Sequence, residues 1–140
     1  MKNAGRILAN ALIGFATDVI KSLGAAPDRA HTTASVLAAA DLRGISSHGV
    51  AGGTGLRELV DRSKLDAIDM TSLPEISRKE GWAIAAMNAN GGIGPAAAMD
   101  AAQLAGDLAE QHGTGRVHVR DANHFGAACV YVEALIERGF

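Results

Sequence analysis

Apolar side chains in the first part of the chain recur at steps of three and four residues, which is the spacing of an amphipathic helix. The positions that form this repeat are Leu8, Leu12, Phe15, Val19 and Leu23. Gly24 follows the repeat, as a residue at the end of a helix would, and Pro27 suits the first turn of a second helix that continues to about Asp41. The pattern therefore predicts that two helices open the chain.

A third helical stretch follows a break at Gly44. Either Ser46 or Ser47 is available as its N-cap. The apolar positions of this stretch are Leu56, Leu59 and Val60. Because each glycine lowers helix propensity by about 1 kcal/mol relative to alanine, the glycine-rich segment 52–55 leaves the start of this helix open.

The second half of the chain alternates strands and helices. The predicted elements are strands over 76–78 and 82–87, a helix over 95–112, a strand over 116–120 and a helix over 127–138. Glu80 and Gly81 form the turn between the first two strands. Val117 and Val119 share one face of the third strand.

These elements predict an α/β fold in which an amino-terminal helical region, 1–70, is followed by a mixed αβ region, 71–140. A sheet usually has about four to six strands, whereas this sequence predicts three. The chain also stops after a helix in a β-α-β-α series. We therefore expect the αβ region to be incomplete and the fold to be truncated at its carboxyl end.

The composition is that of a folded chain, since 48% of the 140 residues are hydrophobic and 20% are charged. A formal net charge of −2 gives no basic field for phosphates, so no nucleic-acid partner is expected. No apolar run approaches the ~20 residues that span a bilayer, so no membrane partner is expected. The single cysteine, Cys129, predicts a reducing compartment, the cytoplasm, and its place in the last helix predicts a small buried apolar residue.

A glycine motif follows the second predicted strand. Gly92-x-Gly94-x-x-Ala97 opens a helix, and the next strand ends near Asp121, which is the outline of a Rossmann dinucleotide fingerprint. A Rossmann domain usually carries this motif on its first strand, whereas a strand pair and helices precede it here. We favour the interpretation that these glycines make a tight turn and let the backbone pack closely. A small Rossmann-type nucleotide binder remains as a weaker alternative.

Two histidines stand in polar loops. His48 follows Ser47, whose hydroxyl can orient the ring or relay a proton. His124 lies at the carboxyl end of a predicted strand, where open α/β sheets place their ligands. A single histidine is more often an exposed or capping residue, but its titration near neutral pH makes each of these two a candidate for proton transfer.

The other histidines have structural interpretations. His31 lies within a helix, His112 suits a helix carboxyl terminus, and His118 points outward between two valines of a strand. The even spacing of His112, His118 and His124 suggests zinc, but the three fall on different elements and the sequence has no paired metal-ligand spacing. We therefore expect no metal site.

Three segments, taken together and in order, resemble the type-2 malate/L-lactate dehydrogenase family. They are ADLRGISSHGVA at 40–51, NGGIG at 90–94 and NHFGAA at 123–128. The resemblance covers essentially the whole chain. It implies a homodimer with a cofactor fold other than the Rossmann fold, which uses NAD or NADP to interconvert small 2-oxo and 2-hydroxy acids such as malate or lactate.

The same resemblance implies roles for three residues. His48 matches the proton donor to the substrate carbonyl, Ser47 matches its relay neighbour, and His124 matches a second histidine that acts as proton acceptor in some members. The family commonly has an arginine that grips the substrate carboxylate where this chain has Gly52, and Arg57 is displaced along the helix. Family chains also continue far beyond position 140, with a relay aspartate in that part, and no cofactor-binding residue is identified here.

Two hypotheses of different classes follow. The first is an oxidoreductase, or a piece of one, that transfers a hydride between NAD(P)H and a small 2-oxo or 2-hydroxy acid, with a histidine as general acid and base. The second is a non-catalytic oligomerisation fragment, suggested by the missing carboxyl part and the glycine at position 52.

Overall fold

Five α-helices and three β-strands follow one another within residues 6–140, which are the residues described by the computed structural model. The elements are α1 (Ala9–Ser22), α2 (Pro27–Leu42), α3 (Leu56–Lys64), β1 (Glu75–Arg78), β2 (Ile84–Asn88), α4 (Gly94–His112), β3 (Arg116–Arg120) and α5 (Ala128–Ile136). A helical region therefore precedes a mixed αβ region, and the predicted fold class is confirmed. The first five residues of the predicted helical region lie outside the described residues.

The helix ends that carry proline or glycine lie where the sequence predicts them. Pro27 is in the first turn of α2 and Pro95 is in the first turn of α4. Gly113 follows α4 in the left-handed conformation, with φ of 77°, and its N–H donates to the carbonyl of Ala109 at 2.8 Å. Gly24 likewise follows α1 with φ of 102°. Local backbone chemistry is enough to set these boundaries.

The prediction that Ser46 or Ser47 caps the third helix is wrong. These residues belong to a separate 3-10 turn, Ser46–His48, and α3 begins later, after Gly55, with no side-chain cap. The N–H of Leu56 donates to the carbonyl of Val50 at 2.9 Å, and a Cβ at Gly55 would overlap that carbonyl. Contact between two stretches of backbone therefore decides where the helix starts.

The three strands form one sheet in the order β1-β2-β3. β1 and β2 are an antiparallel hairpin with Ile76 opposite Met87, and β2 and β3 are parallel with Met87 opposite Val119. The second strand begins at Ile84, two residues later than predicted. The antiparallel pairing of β1 with β2 counts strongly against the Rossmann-type alternative, in which the strand predicted at 82–87 would be the first strand of a parallel sheet.

One face of the sheet lies toward α4, which contacts β2 and β3. Ala85 and Met87 are buried on this face, and Val117 and Val119 share it, as predicted from their alternation. Val119 is still 40% exposed. Cys129 in α5 is half-buried, so the prediction of a buried cysteine is wrong in degree.

The hydrophobic core lies between α1 and α2 and extends to the start of α4. Its fully buried side chains include Ile20, Leu37 and Ile93. Alanines fill much of the remaining helix interface and allow the helices to approach closely; those in the core are Ala16, Ala25, Ala30, Ala34, Ala38 and Ala96. Aliphatic and small side chains therefore build the core, in keeping with a chain that is 4% aromatic.

An ion pair between a buried arginine of α2 and a half-exposed aspartate of α4 joins the two helices. The side chain of Arg29 is 8% exposed, and its Nη1 donates to the Asp100 carboxylate at 2.7 Å. Its Nε has no hydrogen-bond partner among the described residues. The carboxylate of Asp100 is therefore the counter-charge for a cation that is almost fully removed from water.

We expect Asp100→Ala to lower the free energy of unfolding by about 2 kcal/mol, because it leaves the buried Arg29 cation uncompensated. The matched control is Asp18→Ala, since the Asp18 side chain is 81% exposed and its ion pair with Lys21 is 3.8 Å long. That control is expected to change stability by less than about 0.5 kcal/mol. Urea denaturation followed by circular dichroism measures both, and equal losses would contradict a structural role for the Arg29 pair.

Candidate active site

Two loops meet at the carboxyl edge of the parallel strands. The N–H of Ala89 donates to the carbonyl of Arg120 at 3.0 Å, and the N–H of Gly91 donates to the carbonyl of Asp121 at 2.8 Å. The ladder of β2 and β3 thus continues past both strands and brings the loops at 89–93 and 121–127 side by side. This edge is where open α/β sheets place their ligands.

The loop that carries His48 is fixed from behind by α2. The carboxylate of Asp41, near the end of α2, accepts a hydrogen bond from the backbone N–H of Val50 at 2.9 Å. A Cβ at Gly49 would overlap the same carboxylate. The backbone directly after His48 therefore packs on Asp41 without room for a side chain. Asp41 lies within the segment 40–51 that resembles the family, and nothing in the sequence pattern indicates this contact.

Ser47 and His48 are hydrogen-bonded to each other. The Ser47 Oγ lies 2.8 Å from the Nδ1 of His48, and the His48 side chain is half-buried. A hydroxyl can donate or accept, so this contact is compatible with Nδ1 in either protonation state. The Nε2 of His48 is left for a different partner.

The local backbone explains why position 52 is a glycine and not the arginine that is common in the family. The N–H of Gly52 donates to the carbonyl of Gly49 at 3.0 Å, and a Cβ at position 52 would overlap the carbonyl oxygens of Ser46 and Ser47. An arginine there is incompatible with this turn. Arg57 is 91% exposed and lies 3.6 Å from Asp61, so it extends into solvent with an acidic neighbour.

His124 has a defined partner on its own loop. The backbone N–H of Gly126 donates to the Nδ1 of His124 at 3.0 Å. A backbone N–H can only donate, so Nδ1 presents its lone pair in this arrangement. The His124 side chain is otherwise exposed, and the Gly126 backbone is buried with φ of 83°.

The structure brings the three predicted site residues together. The rings of His48 and His124, hereafter the imidazole pair, have centroids 5.3 Å apart and an interplanar angle of 41°. Ser47 reaches the pair through its hydrogen bond to His48. His31, His112 and His118 lie elsewhere, on α2, at the end of α4 and on β3. No group of three residues that could hold a metal ion occurs within 6–140.

Asn123 connects three segments through one side-chain amide. Its Nδ2 donates to the carbonyls of Gly91 and Gly92 at 2.7 and 2.9 Å, and its Oδ1 accepts from Nη2 of Arg62 at 2.9 Å. Arg62 belongs to α3 and lies 3.6 Å from Glu58 on the same helix. Nothing in the sequence pattern points to Arg62, because it meets Asn123 only through the fold.

The glycine motif at 92–97 packs against the loop at 121–127, which carries His124. A Cβ at Gly94 would overlap the carbonyl oxygens of Asn123 and His124, and one at Gly92 would lie 2.9 Å from the carbonyl of Ala89. The interpretation that these glycines allow close backbone packing is confirmed. The approach of α4 to the loop thus depends on the missing side chain at position 94.

Tyr131 of α5 contacts the loop at 121–127 through its hydroxyl. It is 8% exposed, and its hydroxyl donates a hydrogen bond to the carbonyl of Phe125. The Phe125 ring lies nearly parallel to that of His124, with centroids 6.0 Å apart. Burial raises the pKa of Tyr131 above its ordinary value of 10, so the phenol stays protonated and keeps donating.

The fold is shared with solved structures of dehydrogenases. The structure of malate dehydrogenase from Pyrococcus horikoshii superposes with a TM-score of 0.90 at 29% identity, over 99% of this chain and 39% of that one. Sulfolactate dehydrogenase from Methanocaldococcus jannaschii superposes with a TM-score of 0.86 at 30% identity, over 93% and 37%. The chain belongs to the malate/L-lactate dehydrogenase family, whose model matches residues 7–140.

Sequence comparison agrees with this assignment. The malate dehydrogenase of Pyrococcus abyssi is 35% identical over 99% of this chain and 37% of its own length. The malate/(S)-sulfolactate dehydrogenase of Methanothermus fervidus is 34% identical over 85% of this chain and 34% of its own length. The chain therefore spans little more than a third of the length of the relatives that it matches.

We expect Gly94→Ala to lower the free energy of unfolding by about 1–3 kcal/mol. The new methyl group would overlap the carbonyl oxygens of Asn123 and His124, and backbone oxygens cannot rotate away as a side chain can. Gly53→Ala is the matched control, since a Cβ there meets nothing within 4 Å. Thermal denaturation compares the two variants. Equal midpoints for them would contradict the close packing at Gly94.

We expect Tyr131→Phe to remove an alkaline dependence of stability. With a raised pKa in the folded state, the stabilisation by Tyr131 is complete below about pH 10 and is lost as the pH rises above that value. The variant should be less stable by about 1 kcal/mol at neutral pH, where it lacks one hydrogen bond. Urea unfolding across the pH range should show this difference in stability shrinking above about pH 10. A difference that stays constant at all pH values would contradict the raised pKa of Tyr131.

Proposed function

We propose that this chain supplies the proton-handling part of an oxidoreductase that transfers a hydride between NAD(P)H and a small 2-oxo or 2-hydroxy acid such as malate or lactate. The observation that carries the proposal is the imidazole pair, with ring centroids 5.3 Å apart at the carboxyl edge of the parallel strands. Family membership supports this class of substrate, and so do relatives named as malate dehydrogenase and L-sulfolactate dehydrogenase.

His48 is the proton donor in this proposal. The imidazolium form donates from Nδ1 to the Ser47 hydroxyl and from Nε2 to the carbonyl oxygen of a 2-oxo acid. Transfer of the Nε2 proton to that oxygen leaves a neutral ring that still donates from Nδ1 to Ser47. The ring therefore changes charge without losing its orienting contact with the Ser47 hydroxyl.

The nicotinamide cofactor, NAD or NADP, supplies the hydride in such enzymes. The cavity that His124 lines with Thr54 and Arg62 has a volume of about 10 Å³, which is far smaller than a nicotinamide ring. The residues that line this cavity thus do not enclose the nicotinamide ring. The contribution of the described residues is to orient the substrate oxygen and to move its proton.

The homodimer follows from the resemblance to the family, the cytoplasm from the single cysteine, and the lack of nucleic-acid and membrane partners from the net charge and the apolar pattern. We propose a homodimer that works in the cytoplasm on a small acid, with no nucleic-acid or membrane partner. No helix within the described residues has both the length and the apolar character needed to cross a bilayer.

A non-catalytic oligomerisation module is the second candidate. Two observations favour it: Gly52 occupies the place of the family arginine, and the cavity at His124 is small. Such a module would associate with itself and would have no affinity for NADH or NADPH.

We expect the purified chain to bind NADH or NADPH in a fluorescence titration and to oxidise the cofactor when oxaloacetate is added. His48→Ala should lower turnover by about 10²–10⁴-fold, the usual contribution of a general acid, whereas His31→Ala on the exposed face of α2 should not. Saturating cofactor should also raise the melting midpoint, because it binds only the folded state.

The opposite result would favour the second candidate. Absence of cofactor binding, of turnover and of a shift in melting midpoint, together with a stable oligomer by light scattering, would exclude catalysis by this chain. Turnover that survives His48→Ala would contradict the assigned proton donor while leaving the class of reaction intact.

A further inference from the structure

We propose that His124 faces the substrate as a fixed, neutral hydrogen-bond donor through Nε2–H, and that it does not act as a proton acceptor. This inference rests on the proposed function of the site, since it assigns a role within it. The resemblance to the family implied the opposite role, and the surroundings of Nδ1 are the reason for the reversal.

The protonation state follows from the partner of Nδ1. The Gly126 N–H donates to Nδ1 at 3.0 Å, so Nδ1 uses its lone pair there and carries no proton. A neutral imidazole has one N–H, which must then be on Nε2. A ring in this form has no free lone pair with which to accept a proton from a 2-hydroxy acid.

A proton on Nδ1 of His124, or a flip of its ring, would leave the N–H of Gly126 without a hydrogen-bond partner. Gly126 is buried, and the N–H that points at His124 would lose its partner if Nδ1 were protonated or if the ring flipped by 180°. An unpaired buried N–H is expensive relative to one hydrogen-bonded in water. The arrangement therefore disfavours both the imidazolium form and the other neutral tautomer.

The loop cannot easily move to relieve that cost. Asn123 ties its start to Gly91 and Gly92, the backbone of Gly94 lies directly against the carbonyl of His124, and the Tyr131 hydroxyl holds the carbonyl of Phe125. Asn123, His124 and Phe125 thus each have a contact that holds the loop backbone. The loop backbone that carries the Gly126 N–H is thereby held in place, and the His124 ring is oriented by the bond from that N–H to Nδ1.

The two imidazoles consequently differ in what they can do. The partner of His48 Nδ1 is a hydroxyl, which tolerates either protonation state, whereas the partner of His124 Nδ1 is an N–H, which tolerates only one. Reduction of a ketone needs one proton at oxygen, and His48 supplies it. His124 adds a preorganised donor to the same oxygen as negative charge develops there.

The test is nitrogen-15 NMR of the histidine rings in the full 140-residue chain, labelled at histidine and recorded at mildly alkaline pH. Long-range proton–nitrogen correlations distinguish the protonated ring nitrogen from the bare one, and through-bond carbon correlations assign each ring without a variant. His118, exposed on the outward face of β3, is the internal control.

We expect His124 to be the Nε2–H tautomer, with a ratio of tautomers shifted by at least about tenfold relative to His118. A proton on Nδ1 of His124, or a ratio equal to that of His118, would overturn the proposal. This readout needs neither cofactor nor turnover. Failure of cofactor binding would count against the proposed function alone, and an Nδ1–H ring at His124 would count against this inference alone.

Discussion

The geometry of the site depends on one side-chain amide, that of Asn123. Its nitrogen holds the loop before α4 at Gly91 and Gly92, its oxygen accepts a hydrogen bond from Arg62 of α3, and its backbone leads directly into His124. A partly buried amide that has both ends satisfied is costly to disturb, because each lost bond leaves a polar group without water or a partner. The position of His124 is therefore set by three segments that are far apart in sequence.

A second set of contacts brings His48 to the same place. Asp41 holds the backbone after His48 to the end of α2, and α2 is joined to α4 by the pair of Arg29 and Asp100. The two histidines thus reach a ring separation of 5.3 Å through the contact of α2 with α4, and not through any local motif. Glycine is required where these segments touch, most clearly at Gly49 and Gly94, because a methyl group would overlap oxygen atoms.

Features that local chemistry decides could be predicted from the sequence. Prolines and glycines marked the ends of α2 and α4, and alternation gave the face shared by Val117 and Val119. The start of α3 could not be predicted, because it depends on contact between Gly55 and Val50. The partnership of Arg62 with Asn123 was equally hidden, since 61 positions separate them and neither residue type is distinctive. The candidate histidines came from short motifs and a resemblance, whereas their different hydrogen-bond partners came only from the fold.

The central claim is that the imidazole pair forms one site for a small 2-hydroxy acid. Titration of L-malate into the histidine-labelled chain, followed by proton NMR of the five imidazole rings, tests it most directly. We expect the resonances of His48 and His124 to shift together and to saturate at one malate concentration, while those of His31, His112 and His118 stay in place. Shifts confined to the other three histidines, or separate saturation for the two rings of the pair, would contradict it.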